Sequence, residues 1–215
     1  MKWKYNNQHE QGEDDDESTA AIQALLAGRM NVGGGGGSGG AVRVIENDVY
    51  FYGDVTESNA LDLNSTLYAV DKKLAVSGQF LDVNPIINLR INSYGGSLFA
   101  GLATLDTIRN LKADVHTYID GAAASAATII SAAGSKRYIG KYSKMLIHQL
   151  SSGMYGKYTE LEDDMENNKH LMDTIKAIYK EYTKVPMKKL NEILKHDLWF
   201  DAKTCQSLGL VDEIL

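Results

Sequence analysis

The sequence has 215 residues, which is enough for one domain with a sizeable core and a tail. Charged residues make up 23% of it and its formal net charge is −6, which argues against a general nucleic-acid binder. Cys205 is its only cysteine, which excludes an internal disulfide. No stretch reaches the roughly 18 apolar residues of a membrane span, and the first residues lack a signal-peptide pattern. We expect a soluble protein of a reducing cytoplasm that binds neither nucleic acid nor membrane.

Residues 1–40 form a polar, acidic segment that ends in GGGGGSGG. Such a composition cannot repay the entropy of ordering, so we expect a flexible tail. The glycine run formally matches the phosphate-binding pattern GxGxxG at Gly34, Gly36 and Gly39. No predicted strand precedes it and no helix follows, which favours a linker over a phosphate cradle.

From residue 41 the pattern changes to strands and helices, and we expect one domain over residues 41–215. VRVIENDVYFYGDV predicts a hairpin-like pair of short strands. Thr56 or Ser58 can cap the next helix, whose apolar residues recur at helical spacing at Leu63, Leu67, Val70 and Leu74. PIINLRIN alternates apolar and polar residues as a half-buried strand does. After the turn Ser93-Tyr94-Gly95-Gly96, another helix has one apolar face, formed by Leu98, Leu102, Leu105 and Ile108.

A second strand, glycine turn and helix follow at once. VHTYI predicts the strand, Gly121 is expected to open the turn, and ASAATIISAA predicts an apolar helix that Gly134 can cap. KMLIHQL then has the length and composition of another strand. Repeated units of this kind predict an α/β fold.

A long helix is predicted from about Tyr158. Its heptad-like seam is either a core-facing stripe or a surface for another helix, and it consists of Leu161, Met165, Asn168, Met172, Ile175, Tyr179 and Tyr182. Pro186 suits the first turn of the next helix, Asp201 can cap AKTCQSL, and Gly209 can end that helix. The terminal LVDEIL predicts a strand.

Two residues suggest nucleophilic chemistry. Ser125 follows the second glycine turn, where unpaired backbone N–H groups could hold an oxyanion, although a serine there is also compatible with simple helix packing. His148 lies in an apolar run, where burial would keep its imidazole neutral and able to accept a proton, but a core histidine is the alternative. No metal-ligand spacing is present, so no metal is expected.

Four segments together resemble the ClpP family of serine peptidases. INSYGGSLFAG, DGAAASAATIISAAGSKRYI, KMLIHQL and HDLWFDAKTCQSLGLVDEIL are similar, in this order, to its glycine turn, nucleophile turn, histidine strand and catalytic-acid region. The resemblance covers roughly residues 48–215. Three positions depart from the usual residues of the family: Tyr94 replaces proline, Ala122 glutamine and Ala126 methionine.

This resemblance implies that Ser125 is the nucleophile, His148 the base and Asp197 the orienting acid, with the N–H groups of Gly96 and Ala126 as the oxyanion hole. It implies the spiral fold shared by ClpP and crotonase proteins, with the helix from about Tyr158 as a protruding handle.

Local duties distinguish the three acids near the end of the chain. Asp201 is placed to cap a helix, and Asp212 could simply face solvent. Asp197 lies beside apolar residues, so we expect it to be buried and paired with an imidazole N–H. His196 is expected to point to the opposite side of an extended segment.

The function implied is a serine endopeptidase that hydrolyses unfolded polypeptides inside a chamber of stacked heptameric rings. No cofactor is expected, because ATP would be used only by a partner unfoldase of the Clp type. The alternatives are a ClpP-like peptidase of phage head maturation, a crotonase-like acyl-CoA enzyme and a structural ring subunit. Divergence of this degree would suit a virus-encoded protein of a host cytoplasm or an organellar one.

Overall fold

The computed structural model of the protein describes residues 40–78 and 85–215. The predicted tail, apart from residue 40, lies outside the described residues. Within them the chain forms eight strands and six helices. The strands are β1 (Val42–Ile45), β2 (Asp48–Tyr52), β3 (Ile86–Ser93), β4 (Asp114–Ala124), β5 (Lys136–Ile139), β6 (Lys144–Leu146), β7 (Trp199–Asp201) and β8 (Glu213–Ile214). The helices are α1 (Glu57–Gly78), α2 (Leu98–Asn110), α3 (Ala126–Ala132), α4 (Tyr158–Tyr182), α5 (Met187–Ile193) and α6 (Ala202–Ser207). None of these six helices has the length and hydropathy needed to cross a membrane.

One sheet joins the described strands in the order β1-β2-β3-β4-β5-β8. β1 and β2 form the predicted antiparallel hairpin, while β2, β3, β4, β5 and β8 run parallel to their neighbours. Parallel neighbours require crossover connections, which α1, α2 and α3 provide between successive strands. β6 pairs with the end of β4, and β7 pairs antiparallel with β6. The predicted α/β fold is therefore confirmed.

β4 is longer than the sequence pattern predicts. The expectation that Gly121 opens a turn is wrong, because the strand continues through this glycine to Ala124. Its first half pairs with β5, and its last three residues, Ala122 to Ala124, pair with β6 instead. Gly121 adopts a φ of +90° at this change of partner. The turn into α3 therefore comes at Ser125.

The core lies between the sheet and its helices. Ile87, Leu89 and Ile91 of β3 are fully buried and alternate with less buried residues, as the period of a strand requires. Leu63 and Leu67 of α1 belong to the same buried cluster. At the start of α1, Asn59 N donates to Thr56 Oγ1 at 3.1 Å, so Thr56 is the capping residue.

α4 divides into two halves of different exposure. Leu161 is only half-buried and Met165 is 48% exposed, whereas Ile175, Ile178 and Tyr179 are buried near α3 and α5. The predicted seam thus belongs to the core along its second half. Its first half leaves apolar side chains accessible on the protein surface.

A partly buried ion pair connects the end of the chain to β5. Arg137 Nε and Nη2 donate to the Asp212 carboxylate at 3.0 and 2.8 Å, and Arg137 N donates to it at 3.0 Å. These hydrogen bonds lower the pKa of Asp212. Asp212 therefore has a structural partner of its own, the buried Arg137 guanidinium, while 30% of its side chain remains exposed.

Candidate active site

The ends of four strands lie side by side where the candidate site begins. Ser93 of β3 pairs with Ala123 of β4, Ala123 with Met145 of β6, and Met145 with Phe200 of β7. Both glycines of the first turn and Ser125 come two or three residues after this row. His148 follows it by three residues and Asp197 precedes it by three. The pairing of the strands thus brings together segments that are distant in the sequence.

Ser125 occupies a strained turn between β4 and α3. Its φ of 53° is in a region that residues other than glycine seldom adopt. Backbone hydrogen bonds hold it there: Ser125 N donates to Leu146 O at 2.9 Å, and Ser125 O accepts from Thr128 N at 2.9 Å. The Ser125 hydroxyl caps no N–H group of α3, and Ser125 lines the neighbouring cleft instead.

The first glycine turn packs directly against this serine. A Cβ atom on Gly95 would lie 2.5 Å from Ala124 O and 2.7 Å from Ser125 Cβ, and the φ of Gly95 is +91°. Only glycine therefore fits without displacing the nucleophile turn. Val55 N donates to Gly95 O at 2.8 Å, and Ser97 N donates to Val55 O at 2.7 Å.

Two N–H groups beside Ser125 are suited to bind an oxyanion. Gly96 N–H has no hydrogen-bond partner within residues 40–78 and 85–215, although the carbonyl of the same peptide group, Gly95 O, and the next amide, Ser97 N, are both bonded to Val55. Ala126 is the first residue of α3, and first-turn N–H groups have no carbonyl partner inside their helix. Gly96 and Ala126 lie in the same cleft.

His148 and Asp197 are in contact. His148 Nδ1 and Asp197 Oδ1 are 2.8 Å apart. The register explains this contact, because Leu146 pairs with Trp199, and extending the antiparallel pairing by two residues sets His148 opposite Asp197. Both side chains are more exposed than the sequence analysis predicts: His148 is 26% exposed and lies just beyond β6, and Asp197 is 76% exposed. The predicted burial of Asp197 is wrong, because it lies outside β7, at the rim of the molecule.

Ser125 and His148 line one cleft with a volume of about 570 Å³. The cleft lies between the glycine turn, α3, the segment after β6 and the part of α4 from Asn168 to Tyr179. No hydrogen bond joins Ser125 to His148 among the bonds that the described residues make. The structure thus brings His148 and Asp197 into contact and sets Ser125 in the cleft that His148 also lines.

The other candidate groups near Asp197 have separate partners. Asp201 Oδ1 accepts from Thr204 N at 2.8 Å, and this hydrogen bonding lowers the pKa of Asp201, as expected for a helix cap. His196 lies in the turn after α5 and lines a different depression together with Leu198 and Phe200. His196 therefore points away from the cleft of Ser125.

Two polar residues behind the nucleophile turn are not among those that the sequence predicts for the site. Thr128 Oγ1 donates to Ser125 O at 2.6 Å, and it lies 2.5 Å from Tyr179 Oη of α4. Thr128 could have been found, since it follows Ser125 by three residues on one helix face. Tyr179 gave no such signal, because its position in an apolar seam indicates core packing.

The rim of the cleft carries an aromatic pair. Tyr94 and Trp199 pack edge to face, with ring centroids 6.0 Å apart and an interplanar angle of 89°. Tyr94 belongs to the glycine turn and Trp199 to β7, so the pair joins two sides of the site. Among the described residues there is no cluster of three or more His, Cys, Asp or Glu side chains that could hold a metal ion.

Comparison with known proteins identifies the family of the chain. The sequence model of the Clp protease family matches residues 46–215. ATP-dependent Clp protease proteolytic subunit 2 of Bacillus licheniformis is 37% identical over 131 residues, which are 60% of this chain and 69% of that protein. A mutant of ClpP1 from Listeria monocytogenes has the same fold, with a TM-score of 0.66, 24% sequence identity and coverage of 76% of this chain and 88% of its own. The chain therefore belongs to the Clp protease family and is a peptidase of the Clp type.

Proposed function

We propose that the chain is a serine endopeptidase in which Ser125 is the nucleophile, His148 the general base and Asp197 the acid that orients the histidine. The observation that carries this proposal is the 2.8 Å contact between His148 Nδ1 and Asp197, beside the cleft into which a strained turn presents Ser125. A base held by a carboxylate and a serine in one cleft are the parts that acyl transfer requires.

The contact with Asp197 determines which ring nitrogen can act. A carboxylate accepts hydrogen bonds, so the neutral ring of His148 keeps its proton on Nδ1. Nε2 then has a free lone pair. As Ser125 Oγ attacks a peptide carbonyl carbon, Nε2 takes the hydroxyl proton and later gives it to the leaving amine. Water then attacks the acyl-enzyme and loses a proton to Nε2, which passes that proton to Ser125 Oγ as the acid product leaves. These steps require no cofactor.

The N–H groups of Gly96 and Ala126 are the oxyanion hole in this proposal. Their support is that Gly96 N–H lacks a partner among the described residues and that Ala126 N–H is at the start of α3. Donors that are already oriented stabilise the charge of the tetrahedral intermediate without reorganisation. Ala126 contributes its backbone N–H, so the donor is present although alanine replaces the methionine that is usual in the family.

We propose further that the chain assembles with copies of itself as two stacked heptameric rings. The exposed first half of α4 supports this assembly, because Leu161 and Met165 leave apolar surface accessible there. The substrates in this proposal are unfolded polypeptides. A Clp-type ATPase would deliver them, and the relative from Bacillus licheniformis is named as ATP-dependent.

Ser125→Ala tests the proposed chemistry. The variant removes one hydroxyl oxygen from a segment already rich in alanine, so it should fold and assemble as the wild type does. We expect it to lose labelling by a fluorophosphonate probe and at least about 10³-fold of its peptide hydrolysis. Native mass spectrometry of the labelled samples reports the modified chain and the assembly together. Hydrolysis retained by this variant would reject Ser125 as the nucleophile.

A further inference from the structure

A chain of buried hydroxyl groups connects α4 to the nucleophile turn. Tyr179 Oη lies 2.5 Å from Thr128 Oγ1, which lies 2.6 Å from Ser125 O. Tyr179 is 2% exposed and Thr128 is 1% exposed, so no solvent replaces either contact. The same carbonyl oxygen also accepts from Thr128 N at 2.9 Å. Ser125 O is thus held by two donors of one residue.

The direction of each hydrogen bond follows from the carbonyl at the end of the chain. A carbonyl oxygen can only accept, so the single hydroxyl proton of Thr128 points to Ser125 O. Thr128 Oγ1 must then accept from Tyr179, whose phenol donates. Burial raises the pKa of Tyr179 to about 12, which keeps that proton in place at neutral pH.

Fixing Ser125 O also fixes the N–H group of Ala126. The two belong to one planar peptide unit, in which C=O and N–H point in opposite directions. Holding the oxygen toward Thr128 therefore aims Ala126 N–H in the opposite direction, and both Ala126 and Ser125 line the cleft. The φ of 53° at Ser125 is strained, so contacts of this kind are needed to keep the turn in this orientation.

We propose that Thr128 and Tyr179 are positioning residues that hold the Ser125–Ala126 peptide in the orientation that serves the oxyanion. This inference rests on the proposed function, and it deepens that function by making α4 part of the catalytic apparatus. Tyr179 is itself well anchored, because Tyr179 O accepts from Thr183 N at 3.0 Å and also from Thr183 Oγ1.

A double-mutant cycle separates positioning from stability. Thr128→Val keeps the shape but leaves the Tyr179 hydroxyl buried without an acceptor, so it should lower the unfolding temperature. Thr128→Val combined with Tyr179→Phe removes both polar groups and should recover most of that loss. If the residues act by positioning, kcat stays low in the double variant although stability returns.

The expected effects concern kcat. Removing a whole oxyanion donor costs about 10²–10³-fold in kcat, so a misdirected donor should cost about 10-fold in Thr128→Val and in the double variant. KM should change less than twofold, because the cleft keeps its shape. Tyr179→Phe alone should cost about 3-fold, and Thr128→Ser, which retains the hydroxyl, should restore most of the activity. Thr107→Val is the matched control, because Thr107 Oγ1 donates to Ala103 O at 2.9 Å in α2, away from the site.

Turnover of a fluorogenic peptide and thermal unfolding of the intact assembly measure these effects. A kcat within twofold of the wild type in Thr128→Val, or a kcat that returns together with stability in the double variant, overturns the inference. If Thr128→Val does not fold, the double variant and Tyr179→Phe decide by the same criteria. Ser125→Ala is assayed in parallel: if it remains active, the proposed function fails, whereas an inactive Ser125→Ala beside a fully active Thr128→Val rejects the positioning role alone.

Discussion

Asp197→Asn tests the histidine and its acid most directly. The Asp197 carboxylate accepts the Nδ1 proton of His148 at 2.8 Å. An asparagine amide can instead donate to Nδ1, which moves the ring proton to Nε2. That nitrogen could then no longer accept the proton of Ser125. In a triad with a buried acid the same change costs about 10⁴-fold in kcat.

The exposure of Asp197 reduces the expected loss. Its side chain is 76% exposed, so water can bind Nδ1–H in place of the carboxylate and the charge of the acid is screened. We therefore expect kcat/KM to fall by about 10²–10³-fold, which corresponds to about 2.7–4 kcal/mol of transition-state stabilisation. The fold should be unaffected, because the carboxylate is at the rim.

Turnover of a fluorogenic peptide measures the effect, with two controls from the same segment. Asp201→Asn changes another exposed carboxylate. Asp201 caps α6, and asparagine can cap a helix equally well. His196→Gln removes the histidine next to Asp197. Both controls should keep nearly full activity. A folded Asp197→Asn enzyme with wild-type turnover, or a folded but inactive His196→Gln enzyme, would show that the proposed base and acid are wrong.

Three further predictions concern the stability of the fold, the nucleophile turn and assembly. Asp212→Ala leaves the Arg137 guanidinium, which is 8% exposed, without its carboxylate. Because the Asp212 side chain is 30% exposed and so partly screened by water, the free energy of unfolding measured in urea should fall by about 2–4 kcal/mol. Because the folded pKa of Asp212 is lowered, the wild type loses this contribution as pH falls below about 4, so the two curves should converge in acid and a constant gap would contradict the assignment. Gly95→Ala should abolish fluorophosphonate labelling of Ser125, since its Cβ overlaps the nucleophile turn, and normal labelling would contradict the geometry. Met165→Lys should reduce the sedimentation coefficient with unchanged circular dichroism, whereas an unchanged particle would exclude α4 from ring contact.

Local patterns predict the elements that carry Ser125 and the glycine turn. The hairpin, the alternating strand β3 and the helix after Ser97 each show a period within a short window, which is the information that a single sequence contains. The pattern misplaced the turn at Gly121. A glycine can adopt a positive φ in a turn, but Gly121 uses it where β4 changes its partner strand from β5 to β6. A short sequence window cannot predict this change, because the partner strands are formed by residues farther along the chain.

The burial of the site could not be predicted in the same way. Asp197 is beside Leu198, Trp199 and Phe200, and an apolar neighbourhood in sequence suggested a buried carboxylate. In the structure Leu198 and Trp199 are themselves exposed, at 59% and 43%. The hydroxyl chain of Thr128 and Tyr179 depends on how α4 packs against α3, which no spacing within either segment encodes. In the predicted seam, Met172 is half-buried and Ile175 is buried, so these two residues pack in the core.

The position of His148 relative to Asp197 depends on the register in which β6 pairs with β7. His148 follows Leu146 by two residues and Asp197 precedes Trp199 by two. Deleting one residue between Leu146 and His148, or between Asp197 and Trp199, would turn the next side chain to the opposite face. Between His148 and Asp197 the chain forms the exposed segment 151–157, α4 and α5. The exposed segment 151–157 can thus change in length without altering this alignment, whereas an insertion between Leu146 and His148 or between Asp197 and Trp199 would disrupt it.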